Sequence, residues 1–169
     1  MELFAKPGVG GIIKKCIDGV DYILIQDRYK DDAESEAGLV EIPAGKIREF
    51  ENIFDCLRRE IREETGLTVT YIEGENQAAI FESNDYKVLD FTPFSSAQNI
   101  QGSYPIMVHT FICQAEGELL NTTNETKNIG WISLTELNTL LQANPHAFYP
   151  MHVIALQKYL KQKQSNIQG

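Results

Sequence analysis

The stretch that decides the fold runs from Gly45 to Leu67, GKIREFENIFDCLRREIREETGL. Its second half reads as a helix over Asn52 to Thr65. Asn52 can accept a hydrogen bond from the first-turn amides, Asp55 stands three residues on as in a capping box, and Gly66 is a stop. At 100° per residue, Ile53, Phe54, Leu57 and Ile61 gather within roughly 100° and form a buried stripe. Asp55, Arg59 and Arg62 fall on the opposite, solvated side. The glutamates break that order. Glu64 projects inside the apolar stripe, Glu60 lies at its edge and Glu63 sits further round, all three within a fan of about 100°. Neighbouring carboxylates repel, and burial sharpens the repulsion. Either they take up protons, or a cation neutralises them. Oxygen donors of this kind suit Mg²⁺ or Mn²⁺. The plainer alternative is a helix end whose glutamates pair with Arg58 or Arg62.

Outward from this helix, the chain alternates strands with a few helices. Val9 to Lys15 and Tyr22 to Gln26 (YILIQ) are apolar, β-branched runs around the Asp18-Gly19 turn, and predict a hairpin. Lys30 to Gly38 (KDDAESEAG) is polar and predicts a mobile loop. Leu39 to Ile42 predicts a short strand ending at Pro43, with Ala44 and Gly45 in a tight turn. Leu67 to Glu73, Gln77 to Glu82 and Ile106 to Gln114 (IMVHTFICQ) read as strands. Asn121 to Lys127 reads as a polar loop, and a further strand begins at Gly130. Leu134 to Leu141 and Met151 to Lys161 read as helices, followed by a frayed tail. Residues 83–103 carry turn chemistry and one apolar patch but no clear element. A layered α/β domain occupying residues 1–169 follows.

Composition narrows the function. The chain has 169 residues, 43% of them hydrophobic, which is enough for one packed core. A net charge of −9 excludes a broad nucleic-acid face. It also repels phosphate, unless a cation or local Arg and Lys intervene. Cys16, Cys56 and Cys113 are three in number and lack metal-ligand spacing, so they read as reduced core thiols of a cytoplasmic protein. The first residues do not resemble a secretory signal, and no apolar run approaches the roughly 18 residues of a membrane span.

Gly45, Glu51 and the run Arg59-Glu60-Ile61-Arg62-Glu63-Glu64-Thr65-Gly66-Leu67 fill every fixed position of the pattern G-x5-E-x7-R-E-U-x-E-E-x-G-U, with U aliphatic. This resembles the Nudix box. The resemblance implies an α/β/α sandwich with a mixed sheet between helices, and a metal-dependent hydrolase of diphosphate linkages in nucleotide derivatives. It implies that Glu60, Glu63, Glu64 and the carbonyl of Ala44 hold Mg²⁺ (or Mn²⁺), with Glu63 and Glu64 among the catalytic groups. It assigns Glu51 and Arg59 to a salt bridge that steadies the loop and helix, Gly45 to a turn that brings the backbone near the metal, and Gly66 to the end of the motif. Glu125, six residues before Trp131, matches an acid that in similar proteins reaches the metals or acts as general base; Glu116 and Glu118 are its rivals.

Arg28, shortly before EIPAGKI (residues 41–47), resembles a phosphate-binding arginine of nucleotide-sugar pyrophosphatases. The substrate expected is therefore ADP-ribose or a similar nucleotide sugar. The alternatives are a nucleoside triphosphate or a dinucleoside polyphosphate, and beyond them a non-catalytic nucleotide-sensing module. A prenyl-diphosphate isomerase would need a catalytic cysteine that Cys56, inside the helix, cannot supply. One departure stands out: the proline expected about fifteen residues after the box is replaced by Glu82, and the next proline is Pro93. Tyr86, Phe91 and Phe94 either stack on a base or cover the core. His109, His146 and His152 read as packing residues. The partner expected is a small-molecule nucleotide, with no nucleic acid or membrane, and a homodimer is left open.

Overall fold

The computed structural model describes residues 1–30 and 34–168. Apolar, β-branched sequence at the N-terminus forms β1 (Lys6–Ile17), which turns through Asp18 and Gly19, both at positive φ, into β2 (Val20–Arg28). Positive φ at both turn residues matches the right-handed twist of a hairpin. Two short strands follow, β3 (Val40–Glu41) and β4 (Ala44–Lys46), then α1 (Ile53–Thr65). β5 (Thr68–Ile72), β6 (Ala79–Ser83), β7 (Tyr86–Asp90), β8 (Ser95–Gln98), β9 (Ile106–Glu116) and β10 (Thr126–Ser133) complete the strands. α2 (Leu134–Ala143) and α3 (Pro150–Ile167) end the described chain.

The main sheet has the order β10-β2-β1-β9-β5, with β3 on β2, β4 on β1 and β8 on β9. It is mixed, because β1 runs parallel to β9 and antiparallel to β2 and β4. Strand alternation then separates two apolar layers. Val9, Ile13, Leu24 and Phe111 face α1, where they meet Phe54, Leu57 and Ile61. Ile12, Ile23, Ile42 and Ile112 face α2 and α3, where they meet Leu137, Leu141, Leu156 and Tyr159. The result is the α/β/α sandwich expected.

Several expectations are corrected. Ala44 and Gly45 do not form a tight turn; they lie in β4, paired with Gly10 and Val9, and Gly45 has no positive φ. Residues 162–167 are the last turns of α3, not a frayed tail. Cys16 is exposed, and only Cys56 and Cys113 are core thiols. The unassigned stretch contains β7, which pairs with β6 as a separate two-stranded sheet, and β8, which joins the main sheet. The polar loop ends earlier than expected, at Thr126, where β10 begins. Of the loop expected at Lys30 to Gly38, Glu34–Glu36 form a 3₁₀ turn and residues 31–33 lie outside the described residues. Among the described residues no helix is long and apolar enough to cross a membrane.

Candidate active site

Helix α1 starts where predicted. Asn52 is its N-cap, and its side-chain oxygen accepts from the Phe54 amide at 2.8 Å. It stops at Gly66, whose φ of 82° lies in the left-handed region that a side chain disfavours. Between these ends the rotation is as the periodicity requires. Glu64 is 3% exposed, Glu60 is 9% exposed, and Glu63 faces solvent.

The fan of glutamates meets the edge of β4. A Cβ built on Gly45 would lie 1.9 Å from the Glu60 carboxyl carbon and 2.2 and 2.3 Å from its oxygens. The role of Gly45 is thus space rather than a turn. The missing side chain leaves room for a carboxylate pressed against backbone. Beside it, the Ala44 amide donates to Glu64 Oε2 at 3.1 Å, and Gln26 Nε2 donates to the same oxygen at 2.8 Å. The other oxygen, Glu64 Oε1, is buried and accepts no hydrogen bond. Burial raises the Glu64 pKa, and the nearby acids Glu41 and Glu60 add to the rise, against Lys30 and the Gln26 hydrogen bond.

The repulsion among the glutamates is relieved by the chain's own cations. Arg59 forks onto Glu51, with Nε at 2.7 Å from Oε1 and Nη2 at 2.9 Å from Oε2. Its Nη1 reaches Glu60 Oε1 at 2.6 Å and Glu63 Oε2 at 3.3 Å, and Nη2 donates to the Lys46 carbonyl at 3.2 Å. The Glu51–Arg59 bridge implied by the sequence is therefore present. Arg59 is not the solvated charge that the helical wheel gave, because its side chain is 18% exposed. Arg58 and Arg62 take no part: Arg58 binds Glu75, and Arg62 binds the Gly66 carbonyl and Thr68. At the other end of the fan, Lys30 Nζ lies 3.1 Å from the Ala44 carbonyl oxygen, 3.3 Å from Glu64 Oε1 and 3.5 Å from Glu125 Oε2. With these pairings in place, no three acid, histidine or cysteine side chains among the described residues converge as a ready-made metal cluster.

The fan of glutamates, Ala44, Gly45, Arg59, Lys30 and Glu125 border one cavity of about 730 Å³. Its wall carries Arg28, Lys30, Lys46, Arg48 and Arg59, together with Glu60, Glu63, Glu64 and Glu125. Five cations in one concavity answer the charge objection to a phosphate ligand on an acidic protein. Glu125 lines the cavity and its side chain is 56% exposed, whereas its rivals Glu116 and Glu118 are not on the wall. Arg28 is on the wall but nearly buried. Its Nε donates to Glu36 at 2.7 Å, its Nη1 donates to Glu41 at 3.0 Å, and its guanidinium lies 4.2 Å from the centre of the Tyr149 ring.

The aromatic wall differs from the residues considered. Tyr104 and Tyr149 line the cavity, and Tyr86, Phe91 and Phe94 do not. Phe91 packs on Phe54, Phe111 and His109; Phe94 packs on Tyr159; Tyr86 projects from the β6–β7 hairpin. His109 and His146 stay away from the cavity, but His152 lies at its inner wall. Its Nδ1 accepts from the Ile42 amide at 3.3 Å, so the proton sits on Nε2, which is buried and has no partner. Burial, with Arg28 and Lys30 nearby, pushes its pKa down to about 3, so the ring is neutral near pH 7. Sequence reading missed Gln26 and Glu41, which orient Glu64 and Arg28. Gln26 had a signal, since it continues the buried alternation of Leu24 in β2 with a polar side chain. Lys30 had none.

The comparisons with known proteins agree with this geometry. The NUDIX domain matches residues 6–152. Among solved structures, the chain is similar to a MutT NUDIX hydrolase from Burkholderia pseudomallei, with 21% identity, 77% of this chain and 84% of that chain covered, and a TM-score of 0.55. It is similar to the NUDIX domain of Shewanella oneidensis NrtR complexed with ADP ribose, at 12% identity, 96% and 90% coverage and a TM-score of 0.64. It is also similar to a C. elegans Ap4A hydrolase in a binary complex, at 13% identity, 95% and 98% coverage and a TM-score of 0.56. Among curated proteins none matches. At these identities the solved structures establish the shared fold, and the match over residues 6–152 establishes more: the chain belongs to the Nudix family and is a pyrophosphohydrolase.

Proposed function

We propose that this enzyme hydrolyses the diphosphate linkage of a nucleoside diphosphate derivative in a divalent-metal-dependent reaction, with ADP-ribose or a similar nucleotide sugar as substrate. The observation that carries the metal reading is Glu64 Oε1, a buried carboxylate oxygen without a hydrogen bond, close to a cationic group that also touches the Ala44 carbonyl and Glu125. Hard oxygens converging from three segments on one positive charge fit Mg²⁺, with Mn²⁺ as a substitute. Glu64, Glu60, Glu63 and the Ala44 carbonyl would hold the ion, with Glu125 at its edge. Such an ion lowers the pKa of water and shields the charge that builds on phosphoryl oxygens.

The chain's own groups do the rest. Glu125, open to solvent at the rim, takes the proton of the attacking water. Glu63 and Glu64 are the acids whose loss abolishes the charge complement of the site. Arg28 is the substrate arginine, fixed by Glu36 and Glu41, and Lys46 and Arg48 extend the cationic wall for the diphosphate. Tyr104 offers ring surface to a base or sugar, while Tyr149, buried against the Arg28 guanidinium, backs the wall. The solved NUDIX domain that carries ADP ribose supports the sugar nucleotide as first choice. The test compares kcat/KM for ADP-ribose, diadenosine polyphosphates and oxidised nucleoside triphosphates at one Mg²⁺ and one Mn²⁺ concentration. ADP-ribose should lead. A triphosphate or dinucleotide ahead by more than about tenfold, roughly 1.4 kcal/mol of transition-state preference, removes the substrate assignment and leaves the reaction class.

A further inference from the structure

Lys30 follows β2 by two residues, and its side chain is 17% exposed. Its ammonium has neighbours from three separate parts of the chain: the Ala44 carbonyl in β4 at 3.1 Å, Glu64 Oε1 in α1 at 3.3 Å, and Glu125 Oε2 ahead of β10 at 3.5 Å. Two of these oxygens are assigned above to the divalent ion, and the third, on Glu125, lies at its edge. A surface lysine would hold one partner and lie in water. This one is drawn into a cavity and shares a set of oxygens that a metal would claim. Burial lowers its pKa, but Glu64, Glu41 and Glu125 outweigh that and lift it to about 12, so it remains an ammonium.

We propose that Lys30 is a built-in counter-cation of the metal site, which holds the oxygens together in the metal-free protein and is exchanged for the divalent ion when that ion binds. The inference rests on the metal reading of the site. Its physical basis is occupancy. The ammonium stands 3.1–3.5 Å from its oxygens. Mg²⁺ would approach to about 2.0–2.1 Å with twice the charge. Crowded onto the same oxygens, the two cations repel at contact distance, so binding of one disfavours the other. The ion therefore wins the site, but it binds against a tethered competitor whose local concentration is set by the chain and not by the solution. The tethered charge also explains how Glu64 stays buried before metal arrives, since an unpaired carboxylate there is costly.

The exchange makes a prediction opposite in sign to a plain structural bridge. Removing a bridge that merely shapes the site weakens metal binding, whereas removing a competitor strengthens it. The experiment titrates the full chain, wild type and Lys30→Met, with Mn²⁺ and follows the free ion by electron paramagnetic resonance. Lys30→Met should bind Mn²⁺ about tenfold more tightly. Equal or weaker binding in the variant overturns the exchange and leaves the metal reading standing. No Mn²⁺ binding by either protein overturns both. A second measurement needs no variant. An amine-reactive ester should label Lys30 several-fold faster in the wild-type protein once Mn²⁺ is added, read by mass spectrometry against exposed Lys161. Unchanged or slower labelling of Lys30 in metal-saturated protein likewise overturns the exchange.

Discussion

Arg59 and Lys30 stand at opposite ends of one group of acids, and the two cations are held differently. Arg59 presents a planar fork to Glu51 at 2.7 and 2.9 Å and closes on Glu60 at 2.6 Å. Lys30 offers a point charge to three oxygens at 3.1–3.5 Å. A guanidinium fork fixes direction as well as distance, while an ammonium on a flexible stem fixes neither. The difference separates frame from working surface. The Arg59 end locks β4 and the loop before α1 onto the helix. The Lys30 end leaves buried Glu64 Oε1 without a hydrogen bond and with only an ion pair at 3.3 Å, a cost that a closer cation would recover.

The largest effect should come from the Lys30 end. Glu64→Gln should lower kcat by at least about a hundredfold, the scale of losing one electrostatic contact to a transition state. The same variant should be more stable than wild type without metal at pH 8. The sign follows from its pKa, which the fold raises. Such a group favours the native state when protonated, and that advantage is lost as pH rises through the folded pKa. Full activity in Glu64→Gln, or a metal-free melting temperature at pH 8 below wild type, would break the contrast. Next, Glu125→Gln should cost roughly ten- to a hundredfold in kcat and alter the acidic limb of the pH profile, with little change in melting temperature. An unmoved profile transfers the proton to another group.

Smaller effects belong to the frame. Gly45→Ala places a methyl on the Glu60 carboxylate and should destabilise by about 1–3 kcal/mol, the range for overpacking. A denaturant midpoint equal to wild type would show that Glu60 moves aside freely. Glu51→Gln should cost about 2 kcal/mol, the scale of hydrogen bonds to a charged group. The hydrogen bonds from Arg59 hold the Glu51 carboxyl well below the usual range, at about 2. Its contribution is therefore present above the ordinary carboxylate pKa and lost as pH falls toward 2. Urea titrations of both proteins at pH 7 and pH 3 should show the gap narrowing at pH 3. A constant gap would remove the bridge from the frame.

The sequence exposed these two ends unequally. The helix and the fan of Glu60, Glu63 and Glu64 were legible because a 3.6-residue period gives rotation directly, and the spacing of the box gave Glu51 and Arg59 their bridge. β4 was not legible. Three residues after a proline carry no alternation, and pairing with β1 alone makes them a strand. The β6–β7 hairpin was legible only in part: the strand read over Gln77 to Glu82 matches β6, whereas β7 and its pairing were hidden for another reason. Ile80, Phe81, Tyr86 and Val88 are all exposed on it, so no buried face imposes a period of two on the sequence. The cavity's aromatic wall was missed because Tyr104 and Tyr149 come from distant stretches that only the fold brings together. Lys30 was missed because its partners lie 14, 34 and 95 residues away along the chain.

The register of β1 sets the order in which the molecule can be completed. Gly10 pairs with Ala44 on one side and with Thr110 on the other. The parallel partner of the first strand is thus about 100 residues downstream, the kind of distant pairing that slows folding. A ribosome adding roughly 5–20 residues per second needs about 5–20 seconds to deliver it. Through that interval Val9, Ile12 and Ile13 lack the strand that covers them, and β4 hangs on a strand that is itself half paired. A nascent chain ending before Ile106 already contains every residue of the box, yet it has no assembled site. Recognition of the motif in sequence and formation of the active site in time are separated by the synthesis of half the protein.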